Sequence, residues 1–251
     1  MLSDRQAEIV ALIAREGTQY IDDLARRYGL TTQTIRRDIN ALCDLGYARR
    51  FHGGVGAPVE SRNTSTNERY KLNTGAKRAI ARRVAADIPD GATVLMGIGT
   101  SVQFVAEALR ERENLFVVTN NLDVVQALGH AHQIDLQLVG GHYLHNDRIT
   151  VGPEALRAFA KFRATCCVVG AGGLHPEVGV LEFTQDEAEI THALLESAEQ
   201  RFLVADHSKW HRPATIKATP FARLSRFYTD LWPPSGMDAS ATLPVETVIC
   251  G

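Results

Sequence analysis

Gln33, Arg36, Arg37 and Asn40 share one face of the stretch Thr31-Thr32-Gln33-Thr34-Ile35-Arg36-Arg37-Asp38-Ile39-Asn40. Ile35, Ile39, Leu42 and Cys43 fall on the other, at the spacing of a helix with one buried stripe. Amide and guanidinium side chains are those able to make bidentate hydrogen bonds to purine edges in a major groove. Thr31 stands where a hydroxyl caps a helix start. The run Arg50-Phe51-His52-Gly53-Gly54 follows soon after and reads as a small hairpin, a wing beside the helix. The expected DNA contacts are Thr32, Gln33, Thr34, Arg36, Arg37, Asn40, Arg50 and His52. Gln33, Thr34, Arg37 and Asn40 are expected to face bases, while Arg36, Arg50 and His52 touch phosphates or support the wing. A helical protein-interaction module that happens to carry arginines is the alternative; a wing placed directly after the third helix favours DNA.

A second set of candidates lies at successive strand ends further along the chain. These are Gly97-Ile98-Gly99-Thr100-Ser101, Thr119-Asn120-Asn121, Gly140-Gly141, Gly170-Ala171-Gly172-Gly173 and Asp206-His207-Ser208-Lys209. Glycine lets a ligand approach the backbone, and a helix N-terminus favours an anion such as phosphate. Hydroxyls and amides add neutral hydrogen bonds, and Lys209 supplies a countercharge. Each loop alone is explained as a tight turn. Together they describe a pocket for a small phosphorylated sugar or polyol, with Gly99, Thr100, Ser101, Thr119, Asn120, Gly140, Gly141, Gly172, Asp206 and Lys209 as the expected effector-binding residues.

Other chemistries fit less well. The chain has no G-x-x-x-x-G-K-[ST] loop, and Gly97-Ile98-Gly99 lacks the third glycine of a dinucleotide fingerprint. The pairs His142/His145 and His130/His132 have no cysteine or carboxylate companions, and the first pair falls in what reads as a loop. Neither a metal nor a cofactor is expected. Glu182, Asp186, Glu187 and Asp206 are the carboxylates near the pocket, but no paired acid and base stands out, and Glu187 and Glu189 read as solvated or structural. No catalytic residue is assigned.

Elements must hold these residues in place. Asp4 to Arg15 and Tyr20 to Tyr28 carry helical periodicity ahead of the Thr31 helix, and Gly29 ends the second helix. The turn between the second and third helices is short enough to require helix-turn-helix geometry. Ala57 to Asn73 is polar, with few large apolar residues, and reads as a linker. From Gly75 onward helical and short apolar segments alternate. Strands are expected near Thr93–Met96, Phe116–Val118, Asp135–Val139, Cys166–Val169 and Phe202–Ala205, with helices at 77–88, 102–109, 122–128, 154–162 and 186–197 between or beside them. The expected fold is an α/β domain with a mostly parallel sheet, preceded by a small winged helix-turn-helix domain. Its divisions are 1–56, a linker at 57–74, and 75–251.

A net charge of −2 rules out a general nucleic-acid coat, yet Arg36, Arg37, Arg49 and Arg50 give a local basic face. No apolar run is long enough to span a bilayer, the N-terminus lacks a signal-peptide pattern, and the four cysteines form no metal or disulfide framework. A cytoplasmic protein without membrane partners is expected.

The residues resemble the DeoR-type bacterial transcription regulators over essentially the whole chain. In the N-terminal part the likeness is carried by Thr34-Ile35-Arg36-Arg37-Asp38-Ile39 and Arg50-Phe51-His52-Gly53-Gly54. In the remainder it rests on Gly99-Thr100-Ser101, Val118-Thr119-Asn120, Gly140-Gly141, Gly152-Pro153-Glu154 and Asp206-His207-Ser208-Lys209. The resemblance implies a sensor domain related to ribose-5-phosphate isomerase, and a repressor of a sugar or polyol operon. It also implies release from operator DNA by a phosphorylated metabolite such as glycerol-3-phosphate, and action as a homo-oligomer on repeated half-sites. A sugar-phosphate isomerase with an accessory DNA-binding domain is the alternative. Two positions depart from the family pattern: Gly97 and Thr165 stand where Asp is often found, and both changes remove a carboxylate from the pocket.

Overall fold

A computed structural model describes residues 2–44, 47–51, 53–56, 65–210, 212–233 and 242–251. The chain divides into two compact units, Met1–Ser61 with His211–Pro213, and Arg62–Trp210 with Ala214–Gly251.

In the first unit, helices α1 (Asp4–Glu16), α2 (Ile21–Tyr28) and α3 (Thr32–Asp44) accompany strands β1 (Gln19–Tyr20), β2 (Arg49–Phe51) and β3 (Gly54–Gly56). The strands form an antiparallel sheet in the order β1-β3-β2, so the expected wing is present and β1, unanticipated, joins it. Ile9, Leu12 and Ile13 of α1 pack with Ile21 and Leu24 of α2, Ile35, Ile39 and Leu42 of α3, and Val55 of the wing. Ser3 and Gln6 close a capping box at the start of α1. Asp38 turns inward from α3 and accepts hydrogen bonds from Arg5 Nε at 2.7 Å and Gln6 Nε2 at 3.3 Å. A carboxylate directly after two exposed arginines in sequence is therefore the clamp of α3 onto α1.

The second unit opens with α4 (Thr66–Lys71), inside the segment read as linker. Residues 57–64 of that linker lie outside the described residues. The element order continues with α5 (Thr74–Asp87), β4 (Thr93–Met96), α6 (Thr100–Leu109), β5 (Phe116–Thr119), α7 (Leu122–Leu128), β6 (Asp135–Leu138), β7 (His142–Leu144), β8 (Ile149–Val151) and α8 (Pro153–Phe159). It ends with β9 (Ala164–Val169), β10 (Gly173–His175), β11 (Gly179–Glu182), α9 (Gln185–Glu196), β12 (Ala198–Val204), β13 (Ile216–Thr219), β14 (Arg226–Thr229) and β15 (Glu246–Ile249).

Seven strands make one parallel sheet in the order β15-β14-β12-β9-β4-β5-β6. Side chains alternate across it. Val94, Met96, Cys166 and Val168 pack against α5, α6 and α7, whereas Leu95, Cys167, Val169 and Leu203 pack against α8 and α9. Burial on both faces explains why these strands read as continuous apolar runs. Not expected from the sequence are the β7–β8 hairpin, the antiparallel sheet β10-β11-β13, and β14 and β15, the last of which is an edge of the parallel sheet. His142, expected in a loop, begins β7.

The order matters for the site. From β4 the sheet grows through β5 and β6 in one direction and through β9, β12, β14 and β15 in the other. The reversal lies between β4 and β9, and in open parallel sheets ligands bind beyond the carboxyl ends of the strands at that point.

Candidate functional site

The second unit has a cleft at that reversal. It is lined by Ile98, Gly99, Thr100 and Ser101 after β4, by Gly170, Ala171 and Gly172 after β9, and by Arg69, Asp147, Glu182, Glu187 and Lys209, with about 370 Å³ of space including its open mouth. The two backbone walls touch beneath it. Gly97 N–H donates to the Val168 carbonyl at 2.9 Å. A Cβ on Gly170 would lie 2.9 Å from the Ile98 carbonyl oxygen, so the closeness of the walls requires glycine there. Gly99 precedes α6 with φ of 103°, and the N-terminus of that ten-residue helix borders the cleft through Gly99, Thr100 and Ser101.

Of the residues expected to bind an effector, Gly99, Thr100, Ser101, Gly172 and Lys209 line the cleft. The others have different duties. Thr119 Oγ1 donates to the Met96 carbonyl at 2.8 Å and accepts from Asn121 N–H at 3.0 Å. Asn120 Nδ2 donates to the Thr150 carbonyl at 2.6 Å. Both therefore brace β5 against its neighbours. Gly140 and Gly141 are exposed in the connection from β6 to β7. Asp206 lies behind Lys209, where it caps the 3₁₀ turn His207–Lys209 through Ser208 N–H at 3.0 Å and accepts from Asn73 Nδ2 at 2.9 Å. Arg69 and Asp147, which no sequence motif singles out, join the lining from α4 and the β7–β8 turn.

The charges in the cleft are mostly buried. Lys209 is 8% exposed, Arg69 7%, Glu182 2% and Glu187 2%. Glu182, the last residue of β11, accepts from Gly172 N–H at 2.9 Å and from Thr191 Oγ1 at 3.3 Å. Burial first, and then the neighbouring Glu187, push its carboxyl up to about 8, against the pull of Lys209. That shift favours the protonated form of Glu182, which can donate to a ligand oxygen. Burial and Asp147 also raise Glu187, which is structural rather than solvated: its Oε2 accepts from Thr184 N–H at 2.9 Å and Phe183 N–H at 3.1 Å to close the capping box of α9. Burial opposes ionisation of Asp206, yet Lys209, the Ser208 hydroxyl and Lys77 hold it below the usual carboxylate range. Among the described residues no group of three His, Cys, Asp or Glu side chains is placed to hold a metal ion.

In the first unit, Gln33, Arg36, Arg37 and Asn40 are exposed on α3, and Thr32 and Thr34 are half-buried at its start. Thr31 Oγ1 accepts from Thr34 N–H at 3.3 Å and lies 3.0 Å from Thr34 Oγ1, the expected cap. Arg50 Nη1 donates to Asn40 Oδ1 at 3.0 Å, so the wing steadies one of the side chains expected to face bases. His52 lies outside the described residues.

With this geometry in hand, comparison with known proteins is decisive. Residues 5–61 match the DeoR-like helix-turn-helix domain and residues 72–231 the DeoR C terminal sensor domain. The chain belongs to the DeoR family. It is 35% identical to the HTH-type transcriptional repressor CsqR of Escherichia coli (strain K12), over 93% of this chain and 89% of that one. To the glycerol-3-phosphate regulon repressor of the same organism it is 34% identical, over 92% of each chain. Ribose 5 phosphate isomerase A from Neisseria gonorrhoeae is a looser structural neighbour, with a TM-score of 0.38 and 16% identity over 53% of this chain and 52% of that chain. No helix among the described residues is long and apolar enough to cross a membrane.

The departure at Gly97 is matched by the packing around it. A Cβ there would lie 2.8 Å from Leu194 Cδ1, so the leucine of α9 fills the space a side chain would need. Gly97→Ala should cost about 1–3 kcal/mol by overpacking, while Leu194→Ala alone should cost about 2–5 kcal/mol. The double variant should cost clearly less than the sum in urea unfolding, because each change relieves the other. Additive losses would show that the two residues do not compete for space.

Glu182 generates a pH prediction. Its carboxyl titrates higher in the fold than in the unfolded chain, so the unfolded state loses its proton first and stability falls as pH rises from about 4.5 towards about 8. Glu182→Gln keeps the shape and removes the titration. Urea midpoints at pH 5, 6.5 and 8 should converge between wild type and variant at the acid end, with the variant gaining towards pH 8. A wild-type advantage that grows towards pH 8 would mean that Glu182 is held ionised.

Proposed function

We propose that this protein is a DNA-binding transcriptional repressor of a sugar or polyol catabolic operon, released from its operator by a phosphorylated metabolite such as glycerol-3-phosphate. The observation that carries the reading is the pairing, in one chain, of a recognition helix with its polar face exposed and a cleft built on a helix N-terminus with the buried Lys209 in its lining. Gln33, Thr34, Arg37 and Asn40 read bases. Arg36 and Arg50 take phosphates, and Arg50 also fixes Asn40. In the cleft, Gly99, Thr100, Ser101 and Lys209 receive the effector phosphate. Glu182 donates to a hydroxyl or carbonyl oxygen of the same ligand. The protein acts as a homo-oligomer on repeated half-sites.

The cleft binds its ligand without turning it over. Glu182 is held by Gly172 and Thr191 and keeps its proton near neutral pH, which suits a donor and not a carbon-acid base. The relatives named as repressors support the regulatory reading over the isomerase one.

The test is fluorescence anisotropy of the full chain on DNA upstream of its own operon, at fixed salt. It is titrated with glycerol-3-phosphate, ribose-5-phosphate, fructose phosphates and the unphosphorylated parents. Release by one phosphorylated compound, lost in Lys209→Ala while ligand-free DNA affinity is kept, is the expected result. Binding that no compound alters would remove the sensor reading. Consumption of ribose-5-phosphate by the purified protein would favour the isomerase. Arg37→Ala should weaken operator binding by about 1–3 kcal/mol while sparing random DNA. An equal loss on both would assign Arg37 to phosphate.

A further inference from the structure

The cleft contains an ion pair that the functional reading above does not use. Arg69 of α4 donates through Nη2 to Asp147 Oδ1 in the β7–β8 turn and to Thr66 Oγ1 at 3.0 Å. The side chains of the pair are 8% and 15% exposed, and both residues line the cleft. Glu187, also in the lining, feels the same guanidinium. Arg69 is therefore a cation positioned for a ligand and already engaged by a protein carboxylate.

The two ends of α4 are held differently. At its C-terminal end, buried Lys77 donates from Nζ to the Arg69 carbonyl at 2.5 Å and the Leu72 carbonyl at 2.7 Å. Asn73 binds Asp206, and Tyr70 stacks on Phe104 with ring centroids 4.9 Å apart. These contacts fix α4 to α5, α6 and the Lys209 turn. At its N-terminal end, α4 is pinned to the β7–β8 turn. Thr66 N–H and Oγ1 both donate to the Asn146 carbonyl, at 3.2 and 3.0 Å, beside the Arg69–Asp147 pair. That end is also where the chain arrives from the first unit.

We propose that an anionic group entering the cleft takes the Arg69 guanidinium from Asp147, and that α4 is thereby unlatched from the β7–β8 turn at the end leading to the DNA-binding unit. The exchange leaves Asp147 without its cation, a cost lowered because Asp147 is the more exposed partner and can take up water, while a phosphate gains Arg69, Lys209 and the α6 N-terminus together. This inference rests on the cleft being an anion site.

The experiment uses the full chain with inorganic phosphate and glycerol-3-phosphate as probes, read by thermal shift and by amide hydrogen exchange over residues 66–72. Wild type should bind a probe and exchange faster at Thr66 when it is bound. Asp147→Asn should bind at least about tenfold more tightly, the worth of one charge-assisted hydrogen bond, and should exchange fast at Thr66 without a probe. The double variant R69Q/D147N leaves no stranded charge. It should fold, exchange fast, and lose at least about tenfold in affinity by the same measure. Wild type that binds a probe with α4 exchange unchanged overturns the latch and leaves the anion cleft standing, as does Asp147→Asn exchanging like wild type. A wild type that binds neither probe removes the cleft reading and the latch with it.

Discussion

The close approach of two strand ends is the constraint on which the sensor unit depends. β4 and β9 are neighbours whose following loops run to opposite sides of the sheet, and the cleft exists because those loops nearly touch before they part. The Gly97–Val168 hydrogen bond and the bare Cα of Gly170 under the Ile98 carbonyl set that spacing. Leu194 fills the volume beside Gly97 from the opposite layer. A carboxylate at position 97 and this leucine in its present place exclude one another on packing grounds alone. The missing carboxylate is accordingly a property of the α8–α9 core layer as much as of the site, and Glu182, Glu187 and Asp147 are the acids of the cleft lining.

Legibility in the sequence followed the physics of each element. The recognition helix could be read because its buried and exposed residues alternate at helical period, and its polar face emerged as expected. The role of Asp38 could not be read, since its partners Arg5 and Gln6 lie a whole helix away. α4 reads as linker because Thr66-Asn67-Glu68-Arg69-Tyr70-Lys71 has no apolar stripe; it is held by buried polar contacts from Thr66, Arg69 and Lys77, which periodicity does not register. Strands of two to four residues such as β1, β7 and β10 were equally invisible, being too short to carry an alternation.

The expected effector loops divide along a line that sequence cannot draw. Five strand ends looked equivalent, each polar and glycine- or hydroxyl-bearing. Strand order separates them. The ends of β4 and β9 flank the reversal, and Lys209 follows β12, the strand beside β9, so these loops converge. The ends of β5 and β6 lie on the far side of β4. Thr119, Asn120, Gly140 and Gly141 are used there to join strands and begin the β7–β8 hairpin. A linear pattern reports that a loop could bind a ligand; only the sheet's permutation says which loops share one.

Charge balance in the cleft is the physical basis of the proposed exchange. The cleft sets Arg69 and Lys209 against Asp147, Glu182 and Glu187, an arrangement that would repel a phosphate if every acid were ionised. The fold reduces that repulsion in two ways. Burial keeps a proton on Glu182, and Glu187 spends its Oε2 on the N-terminus of α9. Asp147 is the remaining carboxylate and the least buried of the three, and its partner is the cation on α4. A ligand can shift a conformational equilibrium only by the difference in its affinity for the two arrangements. Here that difference has a physical source: with Arg69 on Asp147 the cleft offers one cation to an anion, and with Arg69 turned to the ligand it offers two. Binding and the loss of the α4–hairpin contact are then two descriptions of one exchange of partners, and weakening the internal pair must strengthen the ligand's hold by the same free energy.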